Sequence, residues 1–155
     1  LVGGKGGRRI LEAASLAGAW NIAWQVAPEE LARKVAILES LMNKSQGGSR
    51  SKPWVSVGLT CVTASEPQRL KKRFADMLDA FGLKMPKDFD ATYQEARNTR
   101  LVVTHSELSA KVKQYRDAGA DEIICCFGPV PFSFWDRSIA DEFVEVLDLT
   151  LRCIP

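Results

Sequence analysis

The 155-residue sequence lacks the features that would tie it to a membrane, a disulfide scaffold or a nucleic-acid partner. Its 21 Lys and Arg against 19 Asp and Glu leave only +2, so no field of one sign argues for nucleic acid or a membrane surface. No run approaches the roughly 18–20 apolar residues needed to cross a bilayer. The uncharged stretch 13–27 is mixed with Trp, Asn and Gln. No signal-peptide pattern opens the chain. Of the four cysteines, Cys125 and Cys126 are adjacent, and neighbours in a strand point to opposite faces, which argues against a disulfide framework. With Cys61 and Cys153 they offer no C-x-x-C pair for a metal and read as inert buried thiols in a reducing, cytoplasmic setting. No solenoid-type repeat is visible.

What is present is globular composition, 46% hydrophobic and 26% charged, in the size range of one domain or part of one. The chain opens at Leu1, not Met, inside an apolar run, and the expectation is that preceding sequence is absent. Leu1–Val2 reads as the end of a buried strand and enters Gly3-Gly4-Lys5-Gly6-Gly7. An apolar stripe at Ile10, Leu11, Ala14 and Ala17 predicts a helix over 8–17. Residues 19–24 read as a second strand. Pro28-Glu29-Glu30 starts a helix carried by Leu31, Val35, Leu38 and Leu41 or Met42, since proline and acids suit a first turn. A polar loop over 44–53 precedes a long β-branched strand over 54–62. Ser65-Glu66-Pro67 opens a third helix that reaches Phe81 and stops at Gly82. Residues 84–100 show no clean period and read as an irregular excursion with a short helix near 93–97. A helix from Ser106 closes at Gly119, a strand follows over 121–127, then a Pro-rich loop and a terminal helix over 139–151.

Four strand–helix units in alternation imply parallel strands with helical crossovers. They make half of a closed (β/α)8 barrel or, alternatively, a small open doubly wound sheet that binds a nucleotide.

The most informative motif is Gly3-Gly4-Lys5-Gly6-Gly7-Arg8 between a strand and a helix. Bare glycines let main-chain amides approach a phosphate, the helix start adds unpaired N–H groups, and Lys5 and Arg8 add charge. A tight turn with two solvated basic residues is the competing explanation. The Walker and Gly-x-Gly-x-x-Gly spacings are both missing. Trp20 and Trp24 stand near a strand end, as mouth residues of a barrel or as core rings beside a satisfied Asn21. His105 sits at Thr104-His105-Ser106-Glu107, a composition that helix capping explains. Asp88, Asp90, Asp136 and Asp141 fall where caps are common, and no acid–base constellation can be named. Phe127-Gly128-Pro129-Val130-Pro131-Phe132 suits an apolar wall over a flat ring or a rigid connector.

The series Leu1-Val2-Gly3-Gly4-Lys5-Gly6-Gly7-Arg8-Arg9, Ala13-Ala14 and Ala17-Gly18-Ala19-Trp20-Asn21 resembles the latter half of the luciferase-like monooxygenase superfamily. Pro28 to Lys34, Tyr115 to Ile124 and Asp141-Glu142-Phe143-Val144 continue the resemblance in order; 81–103 do not take part. It implies that residues 1–155 are the C-terminal four units of one (β/α)8 TIM barrel whose N-terminal half is absent. It further implies a flavin- or F420-dependent oxidoreductase using coenzyme F420, a deazaflavin, or FMN, with the cofactor phosphate on Gly3, Gly4, Lys5, Gly6, Gly7 and Arg8. The partner would be a small-molecule substrate, with no nucleic acid or membrane. Gly18-Ala19 departs from the family's Asp-Gly, and Lys5 interrupts its glycine run. Catalytic residues, which the family carries mainly on early strands, are not named. A rival from another class is a non-enzymatic half-barrel that binds phosphate-bearing ligands or pairs with another chain, with open edges at 1–3 and 121–127 favouring a homodimer.

Overall fold

A computed structural model describes residues 1–22, 24–44, 51–130 and 133–152, with side chains to residue 148. Among the described residues five parallel strands are present: β1 (Val2–Gly3), β2 (Ala19–Ile22), β3 (Trp54–Ala64), β4 (Leu101–Thr104) and β5 (Glu122–Cys126). The helices are α1 (Arg8–Ser15), α2 (Pro28–Lys44), α3 (Pro67–Ala80), α4 (Phe89–Thr99), α5 (His105–Asp117) and α6 (Arg137–Arg152). The expected loop over 44–53 and the end of the Pro-rich loop, Pro131 and Phe132, fall largely or wholly outside the described residues, as does Cys153.

The long strand β3 organises the sheet. Its first half lies between β2 (Trp20 opposite Val55) and β5 (Leu59 opposite Cys125), and its second half pairs with β4 (Val62 opposite Val102). From β1 through β2 and β3 to β5 the strands follow chain order with no reversal. That is the winding of a barrel; a doubly wound sheet reverses direction at a switch point.

Alternation on β3 divides the core. Val55, Val57, Leu59 and Cys61 point to one face and pack with Trp20, Leu31, Leu38, Leu108, Tyr115 and Phe143 from β2, α2, α5 and α6. Val62 and Ala64 point to the other face and meet Leu70, Phe74 and Met77 of α3 with Tyr93 of α4. Phe74 and Tyr93 are tilted with ring centroids 5.7 Å apart.

Three expectations are corrected here. The stretch 84–100 is no mostly irregular excursion: α4 fills Phe89–Thr99, capped by Asp88, whose carboxylate accepts the Ala91 N–H at 2.9 Å. Leu101–Thr104 is a fifth strand. All four of its residues are buried, so it shows no alternation by which a strand could be recognised. The second strand ends at Ile22, short of Trp24, because Trp24 and Gln25 take left-handed φ of 50° and 64°. The α5 boundary follows its chemistry: Thr104 and Glu107 form the capping box, and Gly119 at φ 98° ends the turn.

Candidate functional site

The glycine-rich turn leaves the C-terminal end of β1 and feeds α1. Parallel pairing continues into it, since the Gly4 N–H donates to the Asn21 carbonyl at 3.0 Å. Two neighbours then hold the main chain in place. Trp20, fully buried, donates its indole N–H to the Gly4 carbonyl at 3.2 Å. Lys34 of α2 donates to the Lys5 carbonyl and sits 2.8 Å from the Glu30 carboxylate. Gly7 caps α1 with its carbonyl, accepting from Ile10 at 2.9 Å and Leu11 at 3.1 Å. It brings no capping side chain, and no acid stands in the first turn of α1. The Arg8 and Arg9 amides of that turn are therefore left to other partners.

The four glycines are bare for different reasons. Gly6 has φ 76°, and a Cβ there would come within 2.9 Å of both the Trp20 ring and the Lys34 stem. Gly4 is set by its φ of 140°, since an added Cβ there would only touch Ile10 at 3.4 Å. Gly3 and Gly7 have nothing within 4 Å of an added Cβ, and Gly7 at φ −64° holds a conformation any residue adopts. Backbone geometry, with packing added at Gly6, explains two of these absences and not the other two.

Charge around the turn is mixed. Lys5 is exposed and makes no ion pair among the described residues. Arg8 instead reaches along its own helix to Glu12 at 3.0 Å, which partly neutralises it. The Lys34 ammonium holds the Glu30 carboxyl below the usual range, with Arg33 and Lys5 adding to the pull. Lys5, Glu30 and Lys34 line a cavity of about 130 Å³ with Ile22, Trp24, Gln25 and Val26. The structure thus brings Gly3 to Gly7 and the Lys5 side chain together at one strand end and turns the Arg8 side chain aside. Lys34, Glu30 and Gln25 were not foreseen. The Glu30–Lys34 spacing of four residues was readable as a helix pair, but nothing in the sequence aims it at a turn 29 residues earlier.

The other singled-out residues separate cleanly. Trp20 is core, and Asn21 is satisfied by donating to Ser56 at 2.8 Å. Trp24 is half-buried and lies against β3 at Gly58, where an added Cβ would meet its ring at 3.2 Å. His105 Nε2 stands 2.8 Å from Glu142, a charge contact without hydrogen-bond alignment, and Arg73 binds the same carboxylate at 2.6 Å. Asp136 accepts from the Ser138 N–H at 2.9 Å, Asp90 pairs with Lys71 and Asp141 with Arg137. Phe127 packs edge-on to Phe143 at 5.3 Å, as a connector anchored in the core. Among the described residues no cluster of His, Cys, Asp or Glu could hold a metal, and no helix is long and apolar enough to cross a membrane.

This architecture defines a class: a partial β/α barrel, a fold it shares over about half their length with solved oxidoreductase structures. Within that class, the chain is similar to the monooxygenase RslO1 from Streptomyces bottropensis, with a TM-score of 0.62 at 17% identity over 96% of this chain. It is also similar to the EDTA monooxygenase EmoA from Chelativorans sp. BNC1, with 0.60 at 13% over 98%. A third likeness is to an F420-dependent secondary alcohol dehydrogenase in complex with an F420-acetone adduct, with 0.59 at 13% over 93%. The chain spans 46%, 46% and 47% of those three proteins. No protein-family model and no curated protein sequence matches it.

Proposed function

We propose that this chain is the C-terminal half of a luciferase-like barrel oxidoreductase, and that the turn from Gly3 to Arg8 holds the phosphate of coenzyme F420 or, as the second choice, FMN. The bareness of Gly3 and Gly7 carries this assignment. Neither is required by backbone geometry or by packing; with no side chain at either, the turn stays uncovered, and Gly7 leaves the first amides of α1 open to a dianion. The unpaired Lys5 supplies charge, and Lys34 fixes the Lys5 carbonyl so that the turn keeps its shape. Glu30 opposes an anion, but Lys5, Arg33 and Lys34 surround it and outweigh it. The residues present therefore fit a phosphate group.

When bound, the ring would supply hydride transfer, or oxygen activation in the case of reduced FMN, on a small-molecule substrate. This half of the barrel anchors the phosphate; Trp24, on the inner face beside Gly58, helps wall the space toward which the anchored cofactor extends. The free thiols suit a reducing compartment, and we place the protein in the cytoplasm.

The test is Gly7→Ala in the intact protein, with riboflavin as the phosphate-free control. Alanine adopts the Gly7 conformation without strain, so the melting temperature should hold or rise slightly. Fluorescence titration should show FMN or F420 binding weakened about tenfold, the loss of roughly one charge-assisted hydrogen bond. Riboflavin affinity should not move. Unchanged affinity for both phosphate-bearing cofactors would overturn the assignment. A second reading, a half-barrel that works by association, is favoured by the one-sided pairing of β1 and β5 among the described residues.

A further inference from the structure

The corner that follows β2 is built against the usual backbone preference. Every other described residue at positive φ is a glycine (Gly4, Gly6, Gly82 and Gly119), but Trp24 and Gln25 take 50° and 64° in succession. A Cβ makes that conformation costly, and glycine would adopt it without strain. The neighbours enforce it. Ile22 and Val26 on either side are core residues, and the buried Tyr115 hydroxyl donates to the Val26 carbonyl at 2.8 Å. The corner nevertheless keeps two large side chains, so what they face explains them.

They face one cavity. Trp24 and Gln25 line the space of about 130 Å³ beside the glycine turn, together with Lys5, Glu30 and Lys34. Trp24 is its flat wall. A Cβ added at Gly58 would meet three consecutive carbons of the six-membered ring at one distance, 3.2 Å, so the ring lies face-on against β3. Gln25 is a polar wall. Its amide can donate and accept, yet it makes no side-chain hydrogen bond among the described residues. Glu30 is out of place in a site for an anion alone. Lys34 takes one of its oxygens at 2.8 Å, and among the described residues no donor reaches the other.

We infer that this cavity is a polyol subsite, which holds the hydroxyls of the ribityl chain next to the phosphate. Gln25 donates to one hydroxyl, Glu30 accepts from another, and Trp24 walls the chain. Hydroxyls both donate and accept, so they use a carboxylate beside ammonium groups, whereas a phosphate dianion only accepts. Size agrees. A cavity of roughly 150 Å³ takes one benzene ring, so this one suits a short hydroxylated chain and excludes three fused rings. The subsite rests on the reading of the glycine turn as the phosphate anchor and extends it from the phosphate to the chain beyond.

The test adds two variants to the FMN and riboflavin titrations of the intact protein, with lumiflavin, the same ring bearing a methyl in place of the chain, as control. Gln25→Met keeps the length of the side chain and removes the amide, and Gln25→Gly removes the strain as well. Each should weaken FMN and riboflavin by the same factor, about fivefold, the loss of one hydrogen bond, and leave lumiflavin unmoved. Gln25→Gly should also hold its melting temperature or gain about 2 °C, the mark of a corner kept for binding. Unchanged riboflavin affinity in Gln25→Met, with Gly7→Ala still weakening FMN, would overturn the subsite and leave the phosphate anchor standing. An equal loss for lumiflavin would place Gln25 against the ring and overturn it too. A protein that binds neither FMN nor riboflavin would overturn the anchor and the subsite together.

Discussion

Single positions in the glycine turn have separable jobs, and substitution reads them apart. Gly6 is demanded by its left-handed backbone and by the fixed Trp20 ring, which is fully buried and cannot yield. Gly6→Val should therefore destabilise the protein whether or not any cofactor binds. Strain at a positive φ costs about 1–3 kcal/mol, and the clash adds to it, so a fall of roughly 6–12 °C in Tm is expected for a domain of this size. Differential scanning calorimetry without ligand checks this, and a loss of less than about 2 °C would mean that the turn relaxes around the new side chain. The contrast with the harmless Gly7→Ala separates a turn built for folding from one left open for a ligand. In the sequence all four glycines look alike, because their difference lies in φ and in neighbours supplied by β2 and α2. The position of the turn could be read, but the division of labour within it could not.

At the scale of elements, strong local chemistry was legible and long-range satisfaction was not. Pro28-Glu29-Glu30, Gly119 and the Thr104–Glu107 box mark helix ends that hold to within a residue or two. Strand β4 escaped because four successive buried residues carry no period, and α4 was seen only as a short helix near 93–97 because its apolar positions, Phe89, Tyr93 and Ala96, serve a satellite cluster under α3. Two carboxylates tie these elements to the rest. For Glu107, burial raises the carboxyl, but the Thr104 N–H and hydroxyl together with Arg97 prevail and hold it below the usual range. For Glu142 of α6, the Arg73 hydrogen bond dominates, burial opposes it and His105 adds to the lowering. Both folded values lie below the unfolded ones, so their contribution is complete above an unfolded pKa of about 4.3 and is lost as pH falls through the depressed values. Urea midpoints should thus hold from neutral pH to about 5 and fall steeply below about 4. Glu107→Gln and Glu142→Gln should each lower the neutral-pH midpoint and flatten that acid limb. An acid limb as steep in both variants as in the parent would show that other carboxylates carry it.

For the whole molecule, the regular alternation of strand and helix was enough to foresee a parallel sheet with helical crossovers, but it left half a barrel and a doubly wound sheet open, and the strand order decides for the barrel winding. What alternation cannot supply is closure. Among the described residues β1 pairs only with β2 and β5 only with β3, so each presents a row of open main-chain groups. The two edges are unequal. β1 is two residues long, too short to template much pairing, whereas β5 runs for five and exposes Ile124 at 37%. Association of the 155-residue chain should therefore proceed through β5. Light scattering at tens of micromolar should give a mass well above 17.1 kDa, rising with concentration. Ile124→Lys places a charge at an exposed position of that strand, and natural edge strands use such charges to resist pairing. It should return the chain to monomer while leaving its circular dichroism unchanged. Association that persists in Ile124→Lys but disappears when Val2 is replaced by proline would assign it to β1 instead. A parent chain that is monomeric throughout would mean that neither edge is open to a partner in solution.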